Sequence, residues 1–194
     1  MAAWLKCLEK FARLTRSEHE ADAAHVHSES MDRHMVSVAA WQAGYIAKQD
    51  FGIWKFAPNG KRWWGRADLW IKSEDATDLI EAKTHWPELD WSDKDKWLLG
   101  PLLDALGDAR AHDPHAATNR IGLGFVVPHH DTKKDLDSET LIHEWVSVAR
   151  KLDTDILAWS FPSDVRDVVT KPEMNHVFPG TLLLGKRVKE ELHV

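Results

Sequence analysis

The order of apolar patterns along the chain predicts an α/β protein, with a central mixed sheet flanked by helices and extra helices at the N-terminus. Three observations carry this. Apolar runs at Gly52–Phe56, Arg62–Ile71 and Asp78–Thr84 are separated only by a Pro58-Asn59-Gly60 turn and a polar stretch, which reads as a three-strand meander. Patterns of helical period stand before and after the meander. Beyond the second helix, Arg120–Val127 is a glycine-spaced apolar run that reads as a buried strand. The core order is therefore helix, three strands, helix, strand.

Each element has its own signal. Trp4, Leu8 and Phe11, beside Leu5 and Leu14, form one face of a first helix. The polar segment 15–30, with His19, His25 and His27, reads as a solvated helix or loop, because histidines two apart do not share a helix face. Met31, Met35, Val38, Trp41 and Tyr45 predict a helix over about 31–48, with Gly44 in its last turns. Ser92, three residues before Asp95, resembles a helix-capping arrangement, and Pro101 predicts a kink or a later start. His129-His130 lies in a polar stretch read as a solvated loop. A covering helix at 138–152 and strands at 156–161 and 181–184 complete the sheet.

A chain of 194 residues suits one domain, 1–194, divided into N-terminal helices (1–50), a core motif region (51–127), and a sheet extension with covering helix (128–194). Hydrophobic content of 43% and charged content of 29% fit a globular protein, and no apolar run approaches the ~18–20 residues of a membrane span. Charges interrupt Met1–Lys10, so no signal peptide is expected. Cys7 is the single cysteine, read as a core residue, which fits a reducing cytoplasm. Tryptophan is the outlier, at 11 against one tyrosine. Most of Trp63, Trp64, Trp70, Trp86 and Trp91 are expected to pack the sheet, and Trp64 is the candidate for stacking on a base.

The chemistry concentrates in Asp68 on one predicted strand and Glu81-Ala82-Lys83 on the next. Side chains alternate along a strand, so Glu81 and Lys83 share a face while Ala82 points away. Pairing of the strands brings Asp68 toward Glu81. Two carboxylates and an ammonium then converge at what reads as a partly open site, a set suited to Mg²⁺ and a phosphate. The bland alternative is a surface ion pair on a solvated hairpin, contributing about 0–1 kcal/mol.

This pattern, with the element order around it, resembles the PD-(D/E)xK nuclease superfamily, whose fold is the restriction-endonuclease-like one. Asp68, Glu81 and Lys83 take the three motif positions, and Ala67 stands where the family often has proline. The resemblance implies a Mg²⁺-dependent DNA endonuclease, with Mn²⁺ able to substitute. Asp68, Glu81 and the Ala82 carbonyl would hold the metal, and Lys83 would orient water or neutralise charge. It also implies a further carboxylate from the preceding helix. Glu29 is the first choice, before Asp32, Glu20 and Glu18, although supporting a helix N-terminus explains Glu29 equally well.

Arg62, Arg66, Trp64 and His85 are the expected substrate contacts, and Arg66 could equally pair with a carboxylate. DNA is expected over RNA. The net charge of −6 works against unaided DNA binding, so a basic groove near Arg62 and Arg66, a homodimer or a protein partner is expected. The alternative function is a nuclease-fold binding or assembly subunit with little turnover of its own.

Overall fold

A computed structural model of the chain describes residues 1–15, 24–57, 59–162, 169–171 and 175–189. The elements are α1 (Ala2–Thr15), α2 (Ala24–His27), α3 (Glu29–Gln42), β1 (Ile46–Phe56), β2 (Arg62–Lys72), β3 (Thr77–His85), α4 (Lys94–Arg110) and β4 (Asn119–Val126). They continue as β5 (His130–Asp131), α5 (Ser138–Ala149), β6 (Ile156–Ser160), β7 (Val169–Lys171), β8 (His176–Val177) and β9 (Thr181–Arg187). Six strands form the central sheet in the order β1-β2-β3-β4-β9-β6, and β5-β8-β7 form a small second sheet. β1, β2 and β3 make an antiparallel meander, and β3 pairs parallel with β4 across α4. A parallel pair needs such a crossover. The expected order of helix, three strands, helix and strand is realised by α3 through β4.

Helices cover both faces of the sheet. Trp4, Leu8 and Met35 of α1 and α3 pack on Leu69, Ile80, Ala82, Leu123 and Phe125. Leu98, Leu102 and Leu106 of α4 and Trp145 of α5 pack on Val126, Leu182 and Leu184. The glycines of β4 set how closely α4 lies. A Cβ at Gly122 would fall 2.6 Å from the Leu106 nitrogen, and one at Gly124 would fall 2.7 Å from that of Leu102. Bare backbone at both positions seats α4 directly on the sheet. Gly122 is paired with Glu81 and Gly124 with Lys83, so this close approach also brings α4 over the motif.

Several expectations are corrected. The helix expected to reach residue 48 stops at Gln42, and residues 46–50 already belong to β1. Gly44 adopts φ +86°, with Tyr45 N–H donating to Ala40 O at 2.9 Å and Gly44 N–H to Trp41 O at 3.1 Å. That is a Schellman terminus, which the apolar period alone did not reveal. Asp93, not Ser92, precedes α4, and its side chain makes no capping bond. α4 runs through Pro101, because the buried face Leu98, Leu102, Ala105 and Leu106 outweighs one lost hydrogen bond.

His25 is 3% exposed, with Nε2 3.3 Å from Phe178 O, and is not a solvated residue. His130 is buried, and the His129 ring stacks on Phe178 at 5.3 Å, so this loop is packed. Trp63, Trp64, Trp86 and Trp91 are exposed and Trp70 is half-buried, while Trp4 and Trp145 fill the core. Glu18, Glu20 and His19 lie outside the described residues. Cys7 is buried as expected, and burial pushes its thiol pKa up. Among the described residues no helix is long and apolar enough to cross a membrane.

Candidate active site

The sheet opens at Asp68. Toward β3 the ladder ends at Leu69↔Ile80. Toward β1 it skips one position between Gln49↔Leu69 and Phe51↔Ala67, leaving Asp50 opposite Asp68 in a left-handed conformation, φ +49°. Aspartate and asparagine adopt this conformation more readily than other residues with a Cβ. The gap is filled by side chains. Asp68 Oδ2 accepts from the Ala82 N–H at 2.8 Å, and Asp68 Oδ1 is paired with the Arg33 guanidinium of α3. Arg33 also lies 3.6 Å from Asp50, which Arg66 holds at 2.7 Å.

Alternation along β3 is as expected. Thr84 turns to α3, donating from Oγ1 to Asp32 at 2.9 Å and from its N–H to Glu29 Oε2 at 3.2 Å. Glu81, Lys83 and His85 turn to α4. Lys83 Nζ meets Asp108 at 2.8 Å, and His85 lies 3.9 Å from Asp104 with its ring against Trp97. Glu81, only 3% exposed, is held by Lys55 Nζ at 2.7 Å and by His112 Nε2 at 2.6 Å, both on Oε1. The expectation that Glu81 lines an open site is therefore corrected. Lys83, with a third of its side chain exposed, does face solvent.

The electrostatics show which charges gather. Burial raises the Asp68 pKa, the Ala82 N–H opposes this, the neighbouring Glu81 carboxylate adds to it, and Arg33 lowers it again. Burial would also raise Glu81, but the His112 ring in contact with it and the Lys55 hydrogen bond outweigh this and hold that carboxyl below its usual range. Burial disfavours the Lys83 ammonium, yet Asp108 overcomes this, with Glu29 and Asp68 adding to it, and the pKa is raised. Lys83 is thus a cation at neutral pH, fit to neutralise charge rather than to take a proton. Burial pushes Asp32 well up, eased by the Thr84 hydroxyl and increased by Glu29.

Asp68 and Glu81 therefore lie together at the opening, while Lys83 is drawn to Asp108 on the α4 side and Glu29 to the Thr84 N–H on the α3 side. Arg66 is one link away through Asp50. Arg62 lies over the Trp54 ring at 4.8 Å and Trp64 packs edge-on to Trp54 at 5.3 Å, both farther along the hairpin. His85 is turned along α4, away from the carboxylates. Sequence reasoning missed Arg33, Lys55, Asp50, Asp108 and His112. Arg33 was legible as one helix turn beyond Glu29. His112 had no local signal, since it arrives through an isolated bridge with Lys55 beyond the end of α4.

The donor set available to a hard cation is the Asp68 and Glu81 carboxylates with the Ala82 carbonyl. Both main-chain polar groups of a strand residue point toward the same neighbour. The Ala82 carbonyl is thus directed into the gap its N–H enters. Mg²⁺ takes few protein ligands, so these two carboxylates and the carbonyl could hold it only if their present cationic partners gave way. Among the described residues no three His, Cys, Asp or Glu side chains stand ready to hold a metal. Arg33 and Lys55 now occupy the oxygens such an ion would use. Comparison with family models, curated proteins and solved structures finds no match in any of the three.

Proposed function

We propose that this chain is a metal-dependent phosphodiesterase with a restriction-endonuclease-like, PD-(D/E)xK fold, acting as a DNA endonuclease. One observation carries the reading: the Asp68 and Glu81 carboxylates lie together where the β2–β3 ladder ends, and Lys83, two residues beyond Glu81, shares its side of β3. The helix–three strands–helix–strand order supports it as well. A bound Mg²⁺ would polarise the scissile phosphate and lower the pKa of a water. Asp68, Glu81 and the Ala82 carbonyl would hold that ion. The Lys83 ammonium would neutralise charge growing on the phosphate oxygens. Glu29 helps keep Lys83 protonated and ties α3 to β3 through Thr84.

The test is Mg²⁺-dependent cleavage of labelled DNA by wild type, Glu81→Gln and Lys83→Ala. Each variant should lose on the order of 10²–10³ in rate. Lys83→Ala should cost only about 0–1 kcal/mol of stability, because its pair with Asp108 is half-exposed. Full activity in either variant refutes the assignment. The cations already on both carboxylates favour a second reading, a binding or assembly subunit with this fold. Nucleic-acid binding without cleavage, with either Mg²⁺ or Mn²⁺, would establish that reading instead.

A further inference from the structure

Residues 51–67 contain Lys55, Lys61, Arg62 and Arg66 and no Asp or Glu, within a chain of net charge −6. The segment forms the end of the β1–β2 hairpin, and Lys61, Arg62 and Arg66 are exposed there. Three exposed tryptophans accompany them: Trp54, Trp63 and Trp64, the last 63% exposed. Register is constant from Phe56↔Arg62 to Gly52↔Arg66, so Arg62, Trp64 and Arg66 are alternate residues on one side of β2, with Trp54 opposite Trp64. The next alternate residue is Asp68.

The parts are ordered along that side. The Arg62 guanidinium lies over the Trp54 ring at 4.8 Å, and Trp54 meets Trp64 edge-on at 5.3 Å. The Trp64 ring lies across Gly52, where a Cβ would come within 2.3 Å of it. Arg66 reaches Asp50 at 2.7 Å, beside Asp68. Cation, indole, indole and cation thus form a stripe that ends at the candidate site.

We propose that this stripe binds single-stranded nucleic acid and leads it to the opening at Asp68. Unpaired bases expose the π-faces that indoles stack on, whereas a duplex has already stacked its own. Arg62 and Lys61 meet the phosphates, and Arg66 exchanges Asp50 for one. Local charge supplies the attraction that the whole chain lacks. The proposal rests on the phosphodiesterase reading only for what happens after binding.

The test measures binding without divalent metal, so it stands apart from cleavage. Fluorescence anisotropy with a labelled strand of about 20 nucleotides and with its duplex, at about 100 mM salt, gives both affinities. Wild type should prefer the single strand by roughly tenfold or more, with quenching of tryptophan fluorescence. Trp64→Ala should weaken single-strand binding on the order of tenfold, and Trp64→Phe should retain most of it. Arg62→Gln should weaken binding and lower the salt slope by about 0.7. Should Trp64→Ala fail to fold, the wild-type preference and Arg62→Gln decide the matter. Equal or tighter duplex binding overturns the proposal, as does an unchanged affinity in a folded Trp64→Ala or in Arg62→Gln. A dimer that Trp64→Ala disperses while oligonucleotide affinity is unchanged would assign the stripe to a second copy and overturn it too. Strand binding without cleavage leaves the proposal standing and sinks the enzyme reading; cleavage with duplex preference does the reverse.

Discussion

Lys55→Met tests whether the Glu81 network is a buried ion cluster. The lysine and carboxylate side chains are only 12% and 4% exposed, and their atoms meet at 2.7 Å. Removing one partner of a buried pair costs about 3–5 kcal/mol, because the other charge stays desolvated. His112 remains at 2.6 Å, so the lower end applies, about 3 kcal/mol. For a chain of this size that lowers Tm by roughly 6–12 °C. Urea unfolding followed by tryptophan fluorescence measures it, with m unchanged. The pH dependence adds a second readout. Glu81 has a depressed folded pKa, so its contribution is full above the ordinary value of 4.5 and is lost as pH falls through the lower folded value. The gap between wild type and variant should therefore narrow in acid. Lys55→Met with Glu81→Leu should recover part of the loss. A single variant within about 0.5 kcal/mol of wild type, or a gap that widens in acid, refutes the reasoning.

Asp32→Asn should stabilise the protein by about 1–3 kcal/mol at neutral pH, since burial raises the Asp32 pKa and one carboxylate oxygen has no partner. A raised folded pKa means stability is lost as pH climbs above 3.8, so denaturation should slope less with pH in the variant, and parallel slopes count against it. Gly122→Ala should cost about 1–3 kcal/mol, because its Cβ would meet the Leu106 backbone at 2.6 Å; an unchanged melt would mean that α4 does not sit as close as described. Calorimetry should detect weak Mn²⁺ binding to wild type and none to Asp68→Asn. Equal binding removes Asp68 as a ligand.

Period-two and helical patterns made the meander, the crossover and the order of elements legible, because those signals are local. Asp68, Glu81 and Lys83 were legible for the same reason, since strand alternation fixes their faces. Their partners were not. Lys55 and His112 reach Glu81 from positions 26 and 31 residues away in sequence, through a bridge that no local rule anticipates. Trp64 is exposed, as a stacking candidate should be, but Trp63, Trp86 and Trp91 were misjudged because burial was inferred from residue type. Trp54, Trp63 and Trp64 lie on the hairpin, where β1 alternates exposed and half-buried positions and β2 is exposed from Arg62 to Trp64, while the buried cores lie nearer the helices. The histidines were misjudged for the opposite reason. β8 and Phe178 pack against His130 and His129, and they lie far from them in sequence.

The opening at Asp68 gathers irregular backbone and buried charge in one place. Asp50 holds a left-handed backbone, one ladder pair is skipped, another ladder ends early, and two carboxylates sit close enough to raise one another's energy. Arg33 and Lys55 compensate the charge, yet apolar residues of similar volume are often as stabilising as buried ion pairs, or more so. Strained backbone and perturbed buried charge cluster at functional sites, and structural ion-pair networks are their other common setting. The glycines of β4 point the same way, since they bring α4 down beside Glu81 and Lys83. Strand, helix and charge network therefore meet in one small region, and that is where the proposed phosphate chemistry would take place.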